Sequence, residues 1–281
     1  MAAQTLPVGQ STRSTYLYYR HTLPVRVMHW INVVALTILM MSGLMIFNAH
    51  PALYWGKSSY TGQPPVLQIG ARDDAARGRI GVTRVLGYEF DTTGVLGLYQ
   101  EDGHLRERAF PGWATIPGHY WLSMARAWHF FFAWIFVING IVYLIYSITS
   151  RHLARDLLPT TPELRGIGGS IKDHLLLRHP SGVAATRYNV LQKLAYIGVI
   201  FVLLPLVILM GWAMSPWLDS VLPGWVDFFG GRQSARTIHF IVAWLLFAFV
   251  LIHVFEVVIS GLWNHLRSMI TGQFRITESS K

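Results

Sequence analysis

Residues 236–261, RTIHFIVAWLLFAFVLIHVFEVVISG, decide how this chain reads. The run is apolar and long enough to cross a bilayer, yet it holds two imidazoles, His239 and His253. The fourteen residues between those positions correspond, at ~1.5 Å and ~100° per residue, to about 21 Å along a helix and about 40° around it. One histidine therefore sits near each membrane face, and both lie on the same side. Ionisable groups are costly inside a membrane and are kept there for function, so two at this spacing ask for two similar objects stacked across the bilayer. Two b-type haems meet that demand.

The composition agrees. Of 281 residues, 52% are hydrophobic and only 13% charged, too apolar for an ordinary soluble domain. Cysteine is absent, which removes disulfides, iron–sulfur clusters, covalently attached c-type haem and thiolate-bound metal. Twelve histidines remain as the principal metal ligands. Four runs, 27–47, 127–146, 194–214 and 238–261, qualify as transmembrane helices, the third carrying Pro205 as a kink. An even number of crossings puts both termini on one side. Residues 1–26 hold Arg13, Arg20 and Arg26 without an acid. The link 148–190 holds Arg151, Arg155, Arg165, Lys172, Arg178 and Arg187 against Asp156, Glu163 and Asp173, and the tail adds Arg267, Arg275 and Lys281. By the positive-inside rule these segments are cytoplasmic, which assigns the net charge of +9 to membrane topology rather than to nucleic acid.

The polar residues 1–23 do not resemble a cleavable signal. Residues 48–123 are then periplasmic, and their turn and strand signals read as a small folded cap that shields the helix ends or receives a partner. Gly168-Gly169 in the cytoplasmic link reads as flexible. The fold expected is an all-α membrane protein, a four-transmembrane-helix bundle with a folded extramembrane loop between helices 1 and 2, forming one domain over 1–281.

Depth alone pairs the histidines. Helix 1 leaves the cytoplasm with His29 near its start, helix 2 returns with His129 near its outer start, and helix 4 carries His239 outside and His253 inside. His29 thus meets His253 and His129 meets His239, as two bis-histidine haems require. Arg26, Arg126 and Arg236 each precede a ligand by three residues, on the same helical face and nearer water, where a guanidinium can grip a haem propionate. A membrane boundary also collects arginines by itself. Gly43, at the outer depth, and Gly140, toward the inner one, would let a flat macrocycle approach or serve helix packing. Glu256, one turn beyond His253, is the candidate proton acceptor for a quinone, or else pairs with Arg26. Arg187, Asn189, Gln192 and Lys193 stand at the inner mouth of helix 3 as further candidates for propionates or a quinone head group.

Six stretches, LPVRVMHWIN through SGLMIFNAHPALYWG, AFPGWATIP, RAWHFFFAW, RYNVLQKLAY, FGGRQSARTIHF and NHLRSMITG, resemble cytochrome b561-type membrane subunits of respiratory enzymes. That group includes the cytochrome b subunits of formate dehydrogenase, nickel–iron hydrogenase and thiosulfate reductase, and the last is the nearest likeness. The resemblance covers essentially the whole chain. It implies four core helices in a bacterial inner membrane and two noncovalent haems b on His29, His129, His239 and His253. It also implies electron exchange between a membrane quinone and a periplasmic redox partner, often a molybdenum enzyme. The alternatives are a stand-alone oxidoreductase, such as a superoxide oxidase acting at the outer haem, and a haem-free metal or proton transporter, against which the scarcity of intramembrane carboxylates counts.

Overall fold

The structure is a computed structural model that describes residues 13–59, 62–176 and 187–279. Arg178 and Lys281, counted above toward the cytoplasmic charge, lie outside the described residues. Four helices are long and apolar enough to cross a membrane: Leu23–Asn48, Leu122–Thr149, Val190–Ala213 and Arg232–Ile259. All four begin several residues before the apolar runs, because polar first turns still satisfy their backbone groups at a water boundary.

In chain order the elements are strand β1 (Arg13–Tyr19), helix α1 (Leu23–Asn48), strands β2 (Ala52–Leu53), β3 (Leu67–Asp74), β4 (Gly78–Val85), β5 (Tyr88–Asp91), β6 (Tyr99–Glu101) and β7 (His104–Arg106), then α2 (Leu122–Thr149). Two short helices follow, α3 (Thr161–Arg165) and α4 (Ile167–Leu175). The third span is composite: α5 (Val190–Gly198), a π-helical turn over Val199–Leu203, and α6 (Leu204–Ala213). Pro205 explains the change of winding, since its ring clashes with the carbonyl four residues earlier and a wider turn relieves the clash. After α7 (Pro216–Val221) and α8 (Trp225–Phe228) come the long α9 (Arg232–Ile259), α10 (Leu262–Thr271) and β8 (Gln273–Ser279). The all-α expectation therefore holds for the spans and fails for the chain. The connecting segments hold strands, where β-branched residues and tight turns replace helical periodicity. Gly168 and Gly169 are not a flexible link but lie within α4.

The chain divides into two compact units. One comprises Met1–His29, Ile145–Ile197 and Ile252–Lys281. In it β1 and β8 pair antiparallel from Arg13↔Ser279 to Tyr19↔Gln273, so the two ends of the described chain lie side by side. Phe274 and Ile276 turn inward, and Asn264 of α10 clasps Arg275 through both its backbone groups at 2.8 Å.

The other unit comprises Trp30–Leu144 and Gly198–Leu251. Here β2, β3, β4 and β5 form an antiparallel meander, and β6–β7 a hairpin turned by Asp102 and Gly103, both at positive φ. The sheet is anchored to the helices by one apolar cluster: Leu44 and Phe47 of α1 pack with Leu53, Ile69, Ala109 and Phe110, and Phe240 of α9 closes over them. Asn48, at the end of α1, both donates to and accepts from the backbone of Phe110.

The β-segment depends on acids near its turns. Thr93 donates to the Asp91 carboxylate through Oγ1 at 2.6 Å and through its N–H at 3.0 Å, and Arg77 donates at 2.6 Å. These bonds hold the Asp91 pKa at about 2, below its ordinary 3.8. A depressed carboxylate contributes stability that is complete above the ordinary value and is lost as pH falls through the lowered one. Amide protection around residues 78–93 should hold at neutral pH and decline between about pH 4 and pH 2, whereas Asp91→Asn should show weakened protection already at neutrality with no such acid step.

Candidate functional site

Each unit holds one pair of imidazoles supplied by two different helices. In the first, His29 of α1 and His253 of α9 face each other with ring centres 6.3 Å apart and planes inclined by 64°. In the second, His129 of α2 and His239 of α9 stand 6.3 Å apart, also at 64°. The four residues that sequence depth paired are brought together in the same two pairs.

The second pair shows how an imidazole is aimed. Nδ1 of His239 lies 2.8 Å from the carbonyl oxygen of Val207, which can only accept, so Nδ1 carries the proton. Nδ1 of His129 lies 3.0 Å from Oγ of Ser42, and that hydroxyl donates its own proton to the Ile38 carbonyl at 2.6 Å. Ser42 therefore accepts from His129, and both rings keep the lone pair of Nε2 free. This is the arrangement that fixes a metal-ligating histidine in orientation and tautomer. A Cβ added to Gly43 would lie 3.4 Å from Cε1 of His129, and one added to Gly211 would lie 3.5 Å from Cε1 of His239. Each of these two rings thus rests against a glycine on a neighbouring helix. Gly140 has nothing within 4 Å of its Cβ position.

The three arginines that share a spacing do not share their protein contacts. Arg236 donates to the carbonyls of His50 and Ala52, fastening the start of α9 to the β-segment. Burial and the nearby Arg236 push the His50 imidazole below its usual pKa. Arg126 is exposed, its guanidinium 5.7 Å from the ring centre of Phe130. Arg26 reaches the Ile270 carbonyl of α10, while its Nε is buried without a hydrogen-bond partner among the described residues. Glu256 meets neither Arg26 nor open solvent: its Oε1 lies 3.1 Å from Nε2 of His174 on α4. The sequence offered Arg26 because depth sets it in the same layer as Glu256, and α4 lay in a link read as flexible.

Residues 20–272 match the family model for prokaryotic cytochrome b561. The chain belongs to this family. It is thus a multi-pass membrane haem protein of electron transport. Over 243 residues, 86% of this chain and 91% of the other, it is 27% identical to the putative protein-methionine-sulfoxide reductase subunit YedZ1 of Azospira oryzae. Over 278 residues, 94% and 88% of the two chains, it is 22% identical to the probable Ni/Fe-hydrogenase B-type cytochrome subunit of Cupriavidus necator. No solved structure matches it.

For a cytochrome b561-family chain the residues overlooked are as telling as those found. Gly211 went unnoticed because the third span has no histidine, and Ser42 because a serine in an apolar helix ordinarily bonds its own backbone. At the start of α5, Asn189 and Gln192 cap the helix reciprocally, at 2.8 and 3.2 Å. Lys193 is also committed: its Nζ lies 2.9 and 3.0 Å from the two Glu163 oxygens, with the lysine side chain only 9% exposed. That ammonium, followed by the Thr160 backbone N–H, holds the Glu163 pKa below its usual value. Glu163→Gln should strand a buried cation and cost about 1–3 kcal/mol, lowering the thermal midpoint in detergent, whereas Lys193→Met, which removes the need for the acid, should cost less.

Proposed function

We propose that this chain is a dihaem, quinone-linked electron-transfer subunit that carries electrons between the membrane quinone pool and a periplasmic redox enzyme. The observation that carries the reading is the pair of equal imidazole separations. Two imidazoles sharing one metal ion at an ordinary bond length of about 2 Å, with about 1.1 Å more to each ring centre, would have centres roughly 6.2 Å apart. Both pairs, at 6.3 Å, come close to that value. Among the described residues no group of three or more His, Cys, Asp or Glu is arranged to hold a metal, so two histidines per site suit an iron whose other ligands come from a macrocycle.

His29 and His253 would hold one haem b, and His129 and His239 the other. When bound, haem b would supply one-electron oxidation and reduction, and a histidine from each side would suit it to carrying electrons. Ser42 and the Val207 carbonyl keep the outer imidazoles pointed and, by accepting from Nδ1–H, make them better donors. Gly43 and Gly211 keep the space beside those rings clear. With no cysteine in the chain, attachment is noncovalent.

Glu256 and His174 suit the proton side of quinone chemistry. A quinol that gives up two electrons must also release two protons, and a carboxylate one helical turn beyond His253, hydrogen-bonded to an imidazole on a surface helix, is placed to take one and pass it outward. The arginine-rich segments favour a cytoplasmic position for this end. The relatives are named as subunits tied to a methionine sulfoxide reductase and to a hydrogenase, which supports a separate redox enzyme as partner. We take a periplasmic molybdenum enzyme as the partner class, with the β-segment as its docking face.

Reduced-minus-oxidised spectra with haem extraction should show two noncovalent b-type haems per chain. His29→Ala and His253→Ala should remove the same one, and His129→Ala and His239→Ala the other; a single haem, or removal of different haems within a pair, would sink the reading. Alanine at Gly43 or Gly211 makes only ordinary contact and should be tolerated, whereas leucine at either should displace the same outer imidazole pair. Glu256→Gln should leave both haem spectra intact and slow haem reduction by quinol about tenfold to a hundredfold or more, with a smaller loss in His174→Gln.

A further inference from the structure

One corner of the first unit is not explained by the histidine pairs. Arg20 follows β1, and its Nε and Nη1 are buried with no hydrogen-bond partner among the described residues; Nε of Arg26 is in the same state. Leaving charged donors buried and unmet costs more than leaving neutral ones, so such groups are normally matched by an anion. The acids of this unit with visible ion pairs are taken: Asp156 by His152 and Arg155, Glu163 by Lys193, Glu256 by His174.

Arg20 is also held in place. Its guanidinium carbon lies 4.9 Å from the ring centre of Phe274 and 5.7 Å from that of Tyr188, contacts that fix the plane and leave its edge to bond. Its N–H donates to the Gly272 carbonyl at 2.7 Å. Gly272 sits at φ 85°, and a Cβ there would fall 2.5 Å from the Tyr19 ring, so only glycine lets the terminal strands close at this point. The adjacent His21 is pushed down to about 3 by burial, then by Arg20, His265, His29 and His152, and is neutral at physiological pH. Arg26, whose guanidinium reaches the Ile270 carbonyl two residues before Gly272, lies one helical turn from His29 on α1, which sets this corner beside the inner imidazole pair.

We propose that Arg20, together with Arg26, binds a carboxylate of the prosthetic group held by His29 and His253, which makes Arg20 a positioning residue contributed by the terminal strands. The proposal rests on the reading of those two histidines as axial ligands. The guanidinium fork matches a propionate bidentately, and its positive charge beside the group favours the reduced state. A lipid phosphate would satisfy the same donors, so the test separates the two.

The full-length, haem-loaded protein is placed in nanodiscs of mixed phosphatidylglycerol and phosphatidylcholine, with visible redox titration and haem transfer to apomyoglobin as readouts. Arg20→Gln should keep two haems, lower the midpoint of one component, and speed transfer of one haem about tenfold or more. The effect should persist in His129→Ala and vanish in His29→Ala. Arg20→Lys, which keeps charge but not the fork, should keep most of the midpoint and still release that haem faster. If Arg20→Gln does not assemble, Arg20→Lys alone decides. Unchanged transfer in the variant that assembles overturns the proposal. So does wild-type protein in phosphatidylcholine alone behaving like Arg20→Gln, which would identify the anion as a lipid phosphate. Wild-type protein without haem would overturn the ligand reading itself, a failure seen before any Arg20 variant is compared.

Discussion

An imidazole in a hydrocarbon environment must have both its nitrogens accounted for, and that constraint organises this protein. One nitrogen of each ring of the second pair is answered by the protein, by the Val207 carbonyl for His239 and by Ser42 for His129. The other keeps its lone pair, and the ring centres stand 6.3 Å apart. That gap is too wide for a hydrogen bond between the rings and too regular across two units to be slack packing. Glycines at 43 and 211 and the serine that spends its own hydrogen on Ile38 follow from the same requirement, because each imidazole has to be held in one orientation by neighbours that take nothing from its free face.

The same economy governs the charged residues. In a chain with few charges, nearly every cation whose surroundings are seen near a span has a specific assignment: Arg236 ties α9 to the backbone of the β-segment, Lys193 is matched by Glu163, and Arg26 reaches the end of α10. Sequence position gave Arg26, Arg126 and Arg236 one description, and their surroundings give them three. A helix start near the β-segment meets strand carbonyls, one near the terminal sheet meets α10, and one facing outward meets only an aromatic ring.

The spans and the histidine pairs were legible because both are properties of single helices: apolar length, and the depth that counting along a helix assigns to a residue. What could not be read depends on partners far away in the chain. His174 meets Glu256 from a link that looked flexible, and Ser42 meets His129 across 87 positions. β1 and β8 find each other from opposite ends, although neither has a strong pattern of its own. Pro205 was legible as a disturbance, but its resolution as a wider turn depends on the whole third span continuing on either side.

The long α9 contributes a ligand candidate to each pair from one unbroken rod. Between positions 239 and 253 the helix therefore behaves as a ruler with a fixed phase. Inserting or deleting a single residue there would swing one imidazole by about 100° against the other and shift it by about 1.5 Å, so no local adjustment would restore both partnerships. Substitutions along this stretch can be absorbed by lipid and neighbouring helices, whereas changes in length cannot. Drift in chain length should therefore concentrate in the connecting loops and spare this interval.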